Sequence, residues 1–287
     1  MIQVKEYVAE RKNELHKIAH NAENKYWRKP CLVVIQVGDN PASTSYIKGK
    51  KKDAEEIGID LVHKHYPAAI CEVEVLHYIK ELNEDFSVDG IIVQLPLPAG
   101  WNEKEIQLAI DPKKDVDGFH PMSKFNPCTP DGIVSYYKRA TGHNSFGGLH
   151  VVILGRSNIV GKPLARMFTE VDATVTLCNS KTNLTLFERL CKDADLLVTA
   201  ISPIEFFKSP DLFLTTRDII DVGLGVGEDG KLHGNLHHDL VSILRERDEE
   251  LGLTNDRILI SGIGGVGLLT RLSLMENTMK AFLDHVE

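Results

Sequence analysis

The sequence predicts an α/β protein of two domains, each built on a parallel sheet with helices on its faces. Three observations carry that prediction. The chain has 287 residues, about twice the usual length of one domain. Short β-branched runs recur at intervals that leave room for a helix between them, as parallel sheets require. One such run, His150 to Leu154, leads straight through a glycine turn into a helical stretch.

Taken in order, Cys31 to Val37 reads as a strand, and Thr44 to Ile57 as an amphipathic helix. Ile59 to His63 and Gly90 to Gln94 are the next strands. Asp111 to Pro130, rich in Asp, Pro and Gly, is the expected linker. Beyond it come strands at His150 to Leu154, Ala173 to Leu177, Asp195 to Thr199, Asp218 to Val222 and Arg257 to Ile260. A helix from Pro163 to Val171 is expected to carry its proline at the start, where the missing N–H costs nothing. Gly262-Ile-Gly-Gly-Val-Gly267 then breaks the pattern before a last helix, roughly Leu268 to Val286, that returns to the first domain. The domains expected are therefore an N-terminal α/β domain (1–118, plus 268–287) and a Rossmann-like parallel-sheet domain (119–267).

Composition narrows the function classes. With 33 basic and 41 acidic residues the net charge is -8, which argues against a nucleic-acid partner, since phosphate-backbone binding needs clustered positive charge. No apolar run approaches the roughly 20 residues of a membrane span, so no membrane partner is expected. The first residues, Met1-Ile-Gln-Val-Lys-Glu6, lack the pattern of a secretory signal. Five scattered cysteines, never spaced C-x-x-C, fit a reducing cytoplasm without a disulfide framework. Of the twelve histidines, none stands in a metal-ligand spacing, and no metal is expected.

The turn Gly155-Arg-Ser-Asn-Ile-Val-Gly161-Lys-Pro163 joins a buried strand to a helix N-terminus. Free backbone N–H groups and the helix dipole there suit a pyrophosphate. Five residues separate Gly155 from the Gly161-Lys pair, where a Walker A loop has four, and Pro163 replaces its hydroxyl residue, so a nucleotide triphosphatase is not expected. After the next strand comes Cys178-Asn-Ser-Lys-Thr182, without the carboxylate that would hold an NAD ribose. Arg156, Ser180 and Lys181 can instead receive a 2′-phosphate, which favours NADP over NAD.

Tyr46 and Lys50 stand four apart in a helical stretch, on one face. A short-chain dehydrogenase would place its nucleotide loop before such a pair, whereas here Gly155 follows it. The surroundings are Val37-Gly-Asp-Asn-Pro-Ala-Ser-Thr-Ser-Tyr46-Ile-Lys-Gly-Lys50, Asp89-Gly-Ile-Ile-Val-Gln94-Leu-Pro-Leu-Pro98, Lys114-Asp-Val-Asp117-Gly-Phe-His-Pro121 and Pro127-Cys-Thr-Pro130, followed by the Gly155 turn. In this order they resemble the bifunctional methylenetetrahydrofolate dehydrogenase/cyclohydrolase family, over roughly Cys31 to Ala281.

The resemblance implies two reactions: hydride transfer from 5,10-methylenetetrahydrofolate to NADP, then hydrolysis of the 5,10-methenyl product to 10-formyltetrahydrofolate. It also implies a folate substrate and a homodimer. By the match, Lys50 is the key group of the hydrolytic step and Gln94 hydrogen-bonds it, while Tyr46 stacks on the aminobenzoate ring and Asp117 accepts from the pterin. Ser43 supports the lysine, and Gly264 and Gly265 flank the substrate. The candidate cofactor contacts are Gly155, Arg156, Ser157, Gly161, Ser180 and Gly223. A lysine manages protons near neutrality only if its pKa falls well below about 10.4, as burial beside a cationic intermediate would make it do.

Three departures from the family pattern stand out. Only Met122-Ser-Lys-Phe-Asn126 separates His120-Pro121 from Pro127, a shorter loop than the family's. The family's Thr-Pro-Val-Pro-Gly-Gly-Val-Gly-Pro-Met-Thr becomes Ile260-Ser-Gly-Ile-Gly-Gly-Val-Gly-Leu-Leu-Thr270, with every proline gone, and its Gly-Asp-Val becomes Gly234-Asn235-Leu236. Two alternatives therefore accompany the bifunctional reading: a dehydrogenase with little cyclohydrolase activity, and a non-catalytic nucleotide-binding paralogue.

Overall fold

The computed structural model describes residues 2–202, 204–207, 212–213, 216–227, 229–250 and 258–287. The chain forms two compact units. One consists of Val8–Cys128 and Arg271–Glu287. The other consists of Thr129–Thr270 with the N-terminal residues through Tyr7.

The first unit carries a three-stranded parallel sheet in the order β2-β1-β3, with β1 at Cys31–Val37, β2 at Asp60–Tyr66 and β3 at Gly90–Val93. β1 is central and, past Cys31, buried on both faces, as its unbroken apolar run requires. β2, at an edge, has no fully buried residue. Its polar Lys64 and His65 extend the strand beyond the apolar run ending near His63 because they pair with Ile35 and Gln36 of β1. Successive residues point to opposite faces, and Val33, Ile35, Ile91 and Val93 pack with Val75, Ile79 and Leu82 of α3 (Glu72–Glu84) and Ile106 of α4 (Glu103–Ala109). The remaining helices are α1 (Val4–Tyr26), which crosses the unit boundary at Tyr7, and α2 (Pro41–Ile57).

In the second unit, α5 (Cys128–Thr141) is followed by a five-stranded parallel sheet in the order β10-β7-β6-β4-β5. The strands are β4 (His150–Leu154), β5 (Thr174–Cys178), β6 (Leu196–Thr199), β7 (Asp218–Asp221) and β10 (Leu259–Ile260), with a small β8 (Gly225–Val226) and β9 (Leu232–His233) hairpin beside them. The helices are α6 (Gly161–Thr169), α7 (Leu184–Lys192) and α8 (His238–Glu250). One face of the sheet meets Phe187 and Cys191 of α7 and Leu240 and Leu244 of α8. Tyr137 of α5 packs edge-on against Phe146 and Phe168, and its hydroxyl donates to Asp218 at 2.7 Å. A π-helical turn, Gly262–Val266, runs into α9 (Gly267–Val286), which crosses the unit boundary after Thr270. Within the first unit Leu272 through Met279 of α9 are all buried, and its Phe282 ring stands 6.0 Å from Tyr26 of α1.

Several boundaries differ from the sequence reading. The unit division falls after Cys128 rather than 118, because residues 119–128 are tied back to the first unit. His120 N donates to Asp115 Oδ2 at 2.7 Å, Ser123 Oγ to Asp115 O at 3.0 Å, and Asn277 Nδ2 of α9 to Asn126 O at 3.3 Å. Helix α5 begins inside the expected linker, at Cys128, with Pro130 in its first turn, where N–H groups have no helical partner to lose. Pro163 is the third residue of α6 rather than its first, on the same principle. The Arg257 end of the last expected strand lies outside the described residues. No described helix is long and apolar enough to cross a membrane.

Candidate active site

The buried stripe of α2 organises the site. Asn40 caps the helix, its side chain accepting the Ser43 N–H at 3.0 Å, and Pro41 opens the first turn. Ser43, Ile47, Lys50, Ala54 and Ile57 then follow at helical spacing and are all buried. Lys50 falls on that stripe, so its amine is carried inside, and the residue is 4% exposed.

A buried ammonium needs partners. The Gln94 N–H donates to Ile35 O at 2.8 Å, which continues the β1–β3 ladder by one bond and fixes the glutamine at the end of β3. Its Nε2 donates to Leu95 O at 2.9 Å, and Ser43 Oγ donates to the same carbonyl at 3.0 Å. With its NH₂ group so engaged, Gln94 turns Oε1 to the Lys50 Nζ, 2.9 Å away. The Tyr46 ring, one turn earlier on α2, has its centroid 5.3 Å from the same nitrogen, within cation–π range.

Asp117 arrives from the segment alongside β3. Ile91 N donates to Lys114 O at 2.8 Å, and Asn277 Nδ2 to Val116 O at 3.0 Å. Cys128 N donates to Asp117 O at 3.3 Å, while the Cys128 thiol donates to Val116 O. Burial pushes the Lys50 amine below its ordinary value; Asp117 and Cys128 oppose that shift, and Arg271 reinforces it. Burial likewise raises Asp117, against the pull of Lys50 and of a Cys128 hydrogen bond. The neighbouring Asp115 is raised to about 6, chiefly by burial. Lys50, Tyr46, Gln94, Asp117 and Ser43 are thus brought together, the chemistry being an amine drawn toward its neutral form beside an aromatic face and a carboxyl group.

In the second unit, β4 lies between β5 and β6, so the chain crosses from one side of β4 to the other, the switch point where α/β sheets bind ligands beyond their strand ends. Gly155 follows β4 with φ 116°, and its N–H donates to Cys178 O at 3.0 Å. A Cβ there would stand 2.1 Å from Ala200 O, just past β6, and one at Gly161 would stand 2.0 Å from Gly155 O. Both glycines are therefore needed to draw this turn tight against the helix start. Ser157 Oγ accepts from the N–H groups of Val160 and Gly161 at 3.1 and 3.3 Å. Arg156 is exposed after β4 and Ser180 after β5; these strands pair, Leu154 with Cys178, so both residues leave from one edge of the sheet. This donor set fits a dinucleotide phosphate.

Gly223 packs against the buried Asn235 side chain. That amide accepts from Ile201 N at 3.2 Å and donates to Ile201 O at 2.9 Å, a pairing a carboxylate cannot make. Gly264, at φ 70°, and Gly265 lie in the π-helical turn of the second unit. Without prolines, that segment keeps its backbone donors, and Val266 N reaches Ser261 O at 3.2 Å.

Sequence reasoning missed Cys128, Gly49, Asp53, Lys12 and Arg271. Cys128 and Gly49 stood inside quoted motifs. Asp53 and Lys12 carried no signal, because their partners lie far along the chain.

Residues 2–117 match the family described as tetrahydrofolate dehydrogenase/cyclohydrolase, catalytic domain, and residues 127–286 match its NAD(P)-binding domain. The bifunctional protein FolD of Ruminiclostridium cellulolyticum is 42% identical over 263 residues, covering 88% of this chain and 87% of that one. The bifunctional FolD methylenetetrahydrofolate dehydrogenase/cyclohydrolase structure from Campylobacter jejuni aligns with a TM-score of 0.82 at 36% identity, over 97% of this chain and 96% of that one. The Trypanosoma brucei N5,N10-methylenetetrahydrofolate dehydrogenase-cyclohydrolase, complexed with NADP and an inhibitor, aligns at 0.86 with 26% identity, over 100% and 98%. Fold and site define a two-domain, NAD(P)-binding α/β enzyme. The chain belongs to the tetrahydrofolate dehydrogenase/cyclohydrolase family.

Proposed function

We propose that the protein oxidises 5,10-methylenetetrahydrofolate with NADP and hydrolyses the 5,10-methenyl product to 10-formyltetrahydrofolate. The observation that carries the reading is the buried Lys50 amine, held 2.9 Å from Gln94 Oε1 beside Tyr46 and Asp117. NADP supplies the hydride acceptor. Loss of hydride leaves a cationic carbon between two nitrogens, already open to attack, so the remaining work is to move protons. Water adds to that carbon and gives up one proton; as the carbon–N5 bond then breaks, the remaining hydroxyl proton passes to N5 and the oxygen forms the carbonyl of a formyl group on N10.

Lys50, with its pKa lowered by burial, takes the proton from the attacking water. Gln94 orients the amine and helps set its charge. Tyr46 stacks on the aminobenzoate ring, Asp117 accepts from the pterin N–H groups, and Ser43 steadies the Leu95 carbonyl that holds Gln94. Gly264 and Gly265 flank the folate. In the second unit, Gly155, Ser157 and Gly161 shape the turn for the pyrophosphate, Gly223 borders the cofactor, and Arg156 and Ser180 receive the 2′-phosphate. The same reading takes the enzyme as a cytoplasmic homodimer without a nucleic-acid or membrane partner.

Purified protein assayed separately for NADPH formation from methylenetetrahydrofolate and for loss of the methenyl compound tests the proposal. Turnover in both assays is expected. Hydride transfer without hydrolysis would leave a dehydrogenase alone, and no turnover of any folate would overturn the reading.

A further inference from the structure

Gly49 lies inside α2, directly before Lys50, where glycine costs about 1 kcal/mol relative to alanine. A Cβ at this position would stand 1.9 Å from Arg271 Nη1 and 2.8 Å from its Cζ. The glycine is thus a notch that lets a guanidinium lie against the helix backbone. A long side chain can ordinarily swing aside from such a contact, but this one is anchored. Arg271 Nε is 2.7 Å from Asp53 Oδ2, an ion pair without hydrogen-bond alignment, and Asp53 is buried. The other carboxylate oxygen of Asp53 is taken by Lys12, which also meets Glu56 at 2.6 Å.

Asp53 stands three residues after Lys50 on α2. Its single negative charge is divided between Arg271 and Lys12, which leaves little of it to hold Lys50 as an ammonium. From the other side Lys50 faces Asp117 and Cys128, and along its own helix Tyr46. The Arg271 guanidinium keeps its charge at every working pH. A fixed charge of like sign beside an amine disfavours the protonated amine.

We propose that Arg271 is a positioning residue for the hydrolytic step: seated in the Gly49 notch and anchored on Asp53, it keeps a permanent positive charge beside the Lys50 amine and so sets the pH above which that amine takes a proton from water. The inference rests on the reading of Lys50 as the proton-handling group. Burial and Arg271 act on Lys50 in one direction, and Asp117 and Cys128 in the other. Burial is the larger of the two lowering influences, and Arg271 adds a fixed charge to it.

The test is the rate of methenyl hydrolysis against pH in the wild type and in Arg271→Gln, Arg271→Lys and Gly49→Ala. Removing the charge in Arg271→Gln is expected to move the acid limb of the profile upward by about one pH unit, with the high-pH rate retained. Arg271→Lys, which restores a cation, should bring the limb most of the way back. Gly49→Ala closes the notch and displaces the guanidinium, so its limb moves the same way and stands in should Arg271→Gln fold poorly. An acid limb unmoved in Arg271→Gln or Gly49→Ala, or a rate lowered equally at every pH, would overturn the proposal. The wild-type rate from the same assays tests the function itself, so an unmoved limb in a variant of an active enzyme counts against the arginine alone.

Discussion

The Lys50 cluster and the Gly155 turn solve opposite problems. Around Lys50 an amine is buried with Asp117 and Cys128, while Gln94 and Ser43 are tied to one backbone carbonyl. Its chemistry depends on which charges are removed from water and how they oppose one another. Around Gly155 the tight parts are backbone, held by contacts that no side chain could occupy, and the charged group, Arg156, stays in solvent. The difference teaches where each region is sensitive. Interior substitutions near Lys50 should change rates and pH profiles. At the sheet edge they should change affinity and selectivity, and only backbone or buried-amide changes there should reach stability.

The largest effect is expected from Lys50→Met, which keeps the chain length and removes the amine. Methenyl hydrolysis should fall by about 10²- to 10⁴-fold, the usual weight of a positioned acid or base. The thermal midpoint should hold or rise, because burying an amine costs desolvation that methionine avoids. Hydrolysis at the wild-type rate in this variant would break the comparison at its first term. On the proposed role of Lys50 the neutral amine is the working form in the wild type, so hydrolysis should rise with pH and level off below lysine's ordinary range, since burial lowers Lys50.

A smaller effect, on stability rather than rate, is expected from Asn235→Asp. The side-chain amide both accepts from and donates to Ile201, and it sits beside Asp221, which accepts the Asn235 backbone N–H and whose carboxyl is raised by burial. A carboxylate cannot donate and adds a second buried negative charge, at a cost of about 2 kcal/mol. The new carboxyl would have a folded pKa above its unfolded one, so the penalty should grow as pH rises between the two. Thermal midpoints at pH 5 and pH 8 check this, and an equal midpoint loss at both would show that the network tolerates the charge.

Much of the site could be read from the sequence because its members are local. Tyr46 and Lys50 share a face by helix periodicity alone, and Gln94 ends a strand whose apolar run marks it. The β4 turn was legible for the same reason, since strand, glycines and helix are contiguous. What was not legible depends on tertiary pairing. Lys12 meets Asp53 from 41 residues away, and Arg271 reaches Gly49 from the last helix, so neither shows a periodic or motif signal. The hold on residues 119–128 is of the same kind, because composition reads 111–130 as loop while hydrogen bonds to Asp115 and from Asn277 tie them to the first unit. The edge strand β2 ran past its apolar residues because its ladder with β1, not burial, sets its length.

The smallest effect should come from Arg156→Ala, and it sharpens the contrast most. Arg156 is exposed, and Ser180 follows the paired strand at the same edge. A charge-assisted bond to a 2′-phosphate in water is worth about 1 kcal/mol, so the KM for NADP should rise roughly five- to tenfold. NAD carries no such phosphate, and its KM should move little. The thermal midpoint should stay within error, because no interior contact is lost. Measuring both cofactors on one preparation separates the possibilities: equal weakening would place Arg156 on the shared pyrophosphate and remove the argument for NADP. A selective loss would mean that the two regions divide their labour, with cofactor choice written in solvent-exposed charge and proton handling in the buried amine.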